Sequence, residues 1–140
     1  MIDHKTAPHA ALVLRLGLGV MFIAHSLWLK LFVFTLPGTA QFFESLGLPA
    51  TLAYAVFLAE GLGGVLLVLG VQVRAVSLVL LPVLLGATWA HAGNGWLFSN
   101  AGGGWEYPLF LTVATAVQAL LGAGAHAVSL PRRRTRAAPA

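Results

Sequence analysis

Side chains able to do chemistry are few in this chain, and most of them interrupt apolar runs. Arg15, His25 and Lys30 fall within "RLGLGVMFIAHSLWLKLF", Glu60 within "FLAEGLGG", and Gln118 within "TAVQALL". His91 closes "GATWAH" and Glu106 opens "EYPLFL". An ionised carboxylate surrounded by hydrocarbon is costly, so Glu60 is expected to be paired, hydrated or protonated. His25 is the partner this reading favours, with Arg15 within reach if the helices tilt. Such a set can hold a small polar or quinone-like headgroup, or relay protons. The same residues can instead form an internal hydrogen-bonded network that only fixes helix packing. Gln118 taken alone fits helix-to-helix hydrogen bonding better than ligand contact.

Several other chemistries are set aside. There are no cysteines, which removes disulfides, thiolate catalysis, iron–sulfur clusters and Cys-ligated zinc. Bis-histidine haem needs two histidines at one level on facing helices. His25 and His91 instead differ by about 9 Å in depth at 1.5 Å per residue. A metal site built from His25, His91 and Glu60 meets the same obstacle, and no HxxxH or ExxH spacing rescues it, so no metal is expected. No serine stands in a nucleophile-elbow sequence. "GNG" and "GGG" follow no strand and carry no phosphate-binding lysine.

The elements that must position these groups are membrane helices. Hydrophobic residues make up 59% of the 140-residue chain and charged residues 9%, against about 25% in a soluble domain. Too few polar groups remain to cover a water-facing surface. Spans of about 20 apolar residues are expected near 10–33, 51–72, 75–92 and 107–125, giving an all-α, antiparallel four-helix domain over 10–130. Residues 1–9 form a cytoplasmic N-terminal segment and 131–140 a basic, disordered tail in this reading. The first span is too long for a signal peptide, and no persuasive small-x-small cleavage site follows it before the next polar loop.

Lys5, Arg74 and the tail arginines fall on one side of such a bundle, and Glu44 and Glu106 on the other, which places both termini in the cytoplasm. Trp28, Tyr54, Trp89, Trp96, Trp105 and Tyr107 all map to the opposite, outer half, where aromatic rings settle at headgroup level. The first outer loop, "GTAQFFESLGLP", reads as a short interfacial helix capped by Thr39. Glycines make the second outer loop flexible, and its tryptophans anchor it.

At 100° per residue, Arg15, Gly19, Phe22, Ser26 and Lys30 form one stripe of the first helix, with His25 beside it. Ala53, Glu60, Gly64 and Leu67 share a face of the second. Ser77, Leu84, Thr88 and His91 align on the third, which Pro82 is expected to kink. Tyr107, Leu111, Ala114, Gln118 and Gly122 align on the fourth. These faces should turn inward. Counted from the outer ends, His25, Glu60 and Gln118 lie about 12–17 Å deep, while Lys30, His91 and Glu106 gather at the outer mouth. Arg15 lies toward the cytoplasmic end, where it could snorkel. Ala59 with Gly63, and Gly86 with Ala90, offer the spacing for close helix approach. The arginine tail "PRRRTR" is read as a topology anchor on anionic lipid rather than a nucleic-acid site.

The order of these motifs resembles the DoxX-like family of small four-helix membrane proteins. The motifs are Arg…His…Lys, then "FFESLGLP", "AEGLGG", Arg74-Ala75, His91 and "EYP". The resemblance implies a bacterial cytoplasmic-membrane protein associated with redox systems, including quinone-linked sulfur oxidation in some relatives. It also implies a polar set at Arg15, His25, Lys30, Glu60, Arg74, His91 and Glu106. The chain departs from the family pattern at Ser26, where glycine is common. It departs again in "GAGAHAVSLP", with Ala125 in place of an arginine and Pro131 in place of an aspartate. With no cysteine or haem ligand set, an electron-transfer role would require a partner subunit or a bound organic cofactor such as a quinone. A small-solute or proton transporter, acting as a homo-oligomer, and a membrane scaffold are the alternatives.

Overall fold

In the computed structural model, residues 3–128 are described, and the arginine tail lies outside them. The described residues are helical and contain no strand. Helix α1 (Ala7–Ile23) continues without a break into a π-helical segment, Ala24–Val33. Then follow α2 (Leu36–Ser45), α3 (Ala50–Leu69), α4 (Val73–Ala90) and α5 (Glu106–Leu121). Three stretches are long and apolar enough to cross a membrane: Ala7–Val33, Ala50–Leu69 and Val73–Ala90. The fourth expected span is shorter, because α5 has 16 residues, or about 24 Å at the α-helical rise.

Local chemistry explains where the helices begin and end. Pro8 is compatible with the first turn of a helix, so α1 starts at Ala7 rather than near residue 10. The turn before it is closed by Asp3, which accepts from the Lys5 backbone N–H and the Thr6 hydroxyl, both at 2.9 Å. Those bonds hold the Asp3 carboxyl below the usual carboxylate range. Helix α3 stops at Leu69, short of residue 72, because Gly70 turns left-handed at φ +77°. Its N–H donates to Leu67 O, and the Val71 N–H donates to Leu66 O, the paired bonds of a Schellman cap. Helix α5 stops at Leu121 because Gly122 sits at φ +80°. Pro82 lies inside α4, which continues through it to Ala90.

The interfacial helix exists, but Thr39 does not cap it. Pro37 fits the first turn, so α2 begins at Leu36, and the Thr35 hydroxyl accepts from the Gly38 N–H at 3.2 Å. Thr39 lies inside the helix and donates to Thr35 O.

Helix α1 packs on α3 and α5, α4 packs on α3 and α5, and α2 lies against α3 and the π segment. Leu18, Phe22, Leu67, Val76, Leu80, Leu84 and Leu111 form the core between them. Glycines let α1 and α3 approach closely. A Cβ on Gly64 would lie 2.8 Å from Gly19 O, and one on Gly19 would lie 2.9 Å from Gly64 O. Gly63 is filled by Leu80 instead, and Gly86 faces open space, so the Gly86–Ala90 spacing joins no helices among the described residues. Val20, Leu62, Val79, Phe110 and Leu120 lie exposed on the outside.

Two ends can be distinguished. The terminal end holds the start of α1, the α3–α4 turn and the end of α5; the Ala125 N–H donates to Pro8 O and the Val128 N–H to Leu69 O there. The loop end holds the π segment, α2 and the 91–105 loop. Every tryptophan belongs to it, and Trp96 and Trp105 pack edge-on with ring centres 4.5 Å apart.

Candidate functional site

The π segment supplies three polar residues at the loop end. A π-helix bonds i to i+5, as the Phe34 N–H does to Leu29 O at 2.7 Å, and such winding is usually short and found at functional sites. Ser26 is fully buried, and its hydroxyl donates to Phe57 O at 2.8 Å, which docks the segment on α3. Gly61 leaves the room: a Cβ there would stand 3.0 Å from Ser26 Oγ. One turn beyond Phe57, Glu60 is 7% exposed and forms an ion pair with the Lys30 ammonium through Oε2.

The partner of Glu60 is therefore Lys30, not His25 or Arg15. The lysine side chain leans toward the N-terminus of its own helix, so an ammonium rooted near the mouth reaches inward to the carboxylate. His25 turns to its own helix. Its Nδ1 donates to Met21 O at 3.0 Å, a contact that fixes the proton on Nδ1 because a carbonyl only accepts. Nε2 is then the basic nitrogen of the neutral ring. The imidazole stacks on Tyr107 of α5, centroids 6.3 Å apart and planes 25° from parallel.

The remaining expected residues fall into other places. His91 Nδ1 donates to Ala87 O at 2.8 Å, and the ring lies against Gly103. Glu106 Oε1 accepts from the Phe98 N–H at 2.8 Å. Both belong to the loop end, but each serves the 91–105 loop and neither joins the Lys30–Glu60 pair.

The loop itself is stitched together. Asn94 donates to Gly102 O and Gly103 O, and the Trp105 and Glu106 N–H groups donate to Gly95 O and Trp96 O. Asn94 escaped the sequence reading; its only signal was the turn-forming Asn-Gly dipeptide. Beside the loop lies an apolar pocket of about 480 Å³, lined by Trp96, Phe98, Tyr107, Leu109, Phe110 and Val113 with Glu106 at its edge.

Arg15 and Gln118 belong to the terminal end. Gln118 is fully buried, and its amide donates to Gly122 O at 2.7 Å, closing the end of α5. Its hydrogen bond thus goes to the end of its own helix, which stops at Leu121, and not to His25 or Glu60. Arg15 does not snorkel. It is 1% exposed, and Nη2 donates to Ala125 O at 3.4 Å. Arg74, by contrast, is exposed and donates to Leu120 O. Among the described residues, no three His, Asp or Glu side chains are grouped to hold a metal ion.

Apolar helices that turn an ion pair inward and leave aliphatic residues on the outside define a membrane protein. The chain belongs to the DoxX family, whose model matches residues 10–93. It is also 37% identical over 84 residues to a Bacillus subtilis (strain 168) protein described as "Putative oxidoreductase CatD". That match covers 60% of this chain and 60% of the relative. No solved structure matches.

Proposed function

We propose that this protein is an accessory subunit of a quinone-linked redox system in a bacterial cytoplasmic membrane. In this reading the chain is an antiparallel four-helix bundle over 10–130, its termini face the cytoplasm, and the loop end opens outward. The observation that carries the proposal is the part-buried Lys30–Glu60 pair, with Lys30 five residues along the π segment from His25. Structural pairs of this kind are rare within spans and tend to mark ion or substrate paths. The family and the name of the Bacillus relative point the same way.

A quinone suits the chemistry available. The apolar pocket at Trp96, Phe98 and Phe110 suits a flat ring with a hydrocarbon tail, and Tyr107 separates it from His25. A bound quinone would accept two electrons and two protons, the electrons coming from a partner subunit, since the chain has no cysteine. His25 Nε2 is free to give or take a proton, and Glu60 with Lys30 can hold the next one in the relay.

The test is quinone reduction in membranes with and without the protein, and with Glu60→Gln. Loss of rate in the deletion and in Glu60→Gln supports the reading; unchanged rates with every donor reject it. The second reading, a scaffold, is favoured by the internal bonding of every buried polar side chain at this end. It expects a Lys30→Met/Glu60→Met double variant to keep both fold and activity. A transporter would instead show solute or proton flux in proteoliposomes, abolished by Glu60→Gln.

A further inference from the structure

The terminal end buries a charge for which the described residues offer no counter-ion. Arg15 is 1% exposed, and among the described residues Nε and Nη1 have no hydrogen-bond partner. The sequence has four acidic side chains, and all are engaged elsewhere or distant. Asp3 closes the turn before α1, Glu60 takes Lys30, and Glu106 holds the 91–105 loop. Glu44 is exposed on α2, at the loop end. Gly70, at φ +77°, packs so closely on the guanidinium that any Cβ there would overlap Nη1.

A guanidinium does not shed its proton in a protein, and a buried ion without a partner is strongly destabilising. Water could satisfy the N–H groups, but only an anion removes the net charge from the interior. Two further hydrogen-bond donors, the hydroxyls of Ser77 and Thr115, are buried toward the same end without partners among the described residues. The cover is light. Gly122–Val128 crosses this end, tied to the helices by the backbone bonds from Ala125 to Pro8 and from Val128 to Leu69. A pocket of about 340 Å³ opens beside Gly124 and Ala11, one helix turn before Arg15.

We propose that Arg15 anchors an internal site for one small monovalent anion of halide size, admitted beside Gly124 when the 122–128 segment lifts. The single enclosed cation sets the charge, and its near-complete burial excludes a lipid phosphate group.

The test uses the full chain in nanodiscs, with gluconate replaced by chloride or bromide at constant ionic strength. Thermal unfolding and the chloride-35 NMR linewidth are the readouts. A saturable rise in Tm of several degrees, with matching line broadening, is expected. Both should vanish in Arg15→Gln and persist in Arg74→Gln. They should also persist in Glu60→Gln, so failure of the redox reading and failure of this one are distinguishable. A wild-type protein indifferent to halide, or a response surviving Arg15→Gln, overturns the proposal. If Arg15→Gln does not fold, anomalous scattering from bromide soaked into wild-type crystals decides. A peak at the guanidinium supports the site, and peaks elsewhere or none overturn it.

Discussion

The loop end and the terminal end bury similar numbers of polar side chains but treat them differently. At the loop end Ser26, Thr39, Glu60 and Thr112 all have bonds inside the chain. At the terminal end Arg15, Ser77, Thr115 and Gln118 each keep at least one buried polar atom without a partner among the described residues. In a low-dielectric interior, an unmet polar group costs more than a met one contributes. The loop end is therefore finished by the polypeptide alone, a preorganised arrangement. The terminal end needs something from outside it, whether water or an ion.

The sharpest way to break this contrast is at the ion pair. Lys30→Met strands the Glu60 carboxylate and should lower stability by about 3–5 kcal/mol. Lys30→Met/Glu60→Met should recover most of that loss, because two apolar side chains of similar size replace two desolvated charges. Reversible unfolding in mixed micelles reads both. If the double variant is as unstable as the single, the pair holds the helices together and is more than an internally balanced charge.

Gly70→Ala should come next, at about 1–3 kcal/mol for an alanine forced into the left-handed region. The added methyl also displaces Arg15 and the 122–128 segment. Faster amide exchange at Ala125 and Val128, with the loop end unchanged, is the expected signature. Gly86→Ala is the control: nothing lies within 4 Å of its Cβ, and helix propensity makes it neutral or slightly stabilising.

Much of this was legible in the sequence, and the failures have physical causes. The 100° stripe put Arg15, Gly19, Phe22 and Ser26 on one buried face, and the structure buries all four. The same stripe reaches Lys30, which turns inward to pair with Glu60 although the chain winds as a π-helix from Ala24 to Val33. Pairing was illegible, because helix periodicity gives faces and levels but not how far a flexible side chain reaches. Lys30 thus looked like a residue of the mouth and His25 like the partner of Glu60. The fourth span was drawn too long at its inner end because a positive-φ glycine ends α5 at Leu121. "LLGAGA" carried that signal, and the uninterrupted apolar run around it hid it.

The smallest effects separate the two ends most directly. Ser26→Ala removes a bond to Phe57 O and should cost about 0.5–1.5 kcal/mol. Thr115→Val removes a fully buried hydroxyl with no partner, so the variant should equal or slightly exceed wild-type stability. Both sites are fully buried and both changes delete one hydroxyl, so the difference between them isolates hydrogen bonding from packing. If Thr115→Val instead loses as much as Ser26→Ala, the Thr115 hydroxyl is bonded to an internal water. The terminal end would then be completed as thoroughly as the loop end, by solvent rather than by backbone. Hydrogen exchange along α5 separates these cases, because an ordered water bridging Thr115 slows the last turns and an empty site leaves them as open as Gly122.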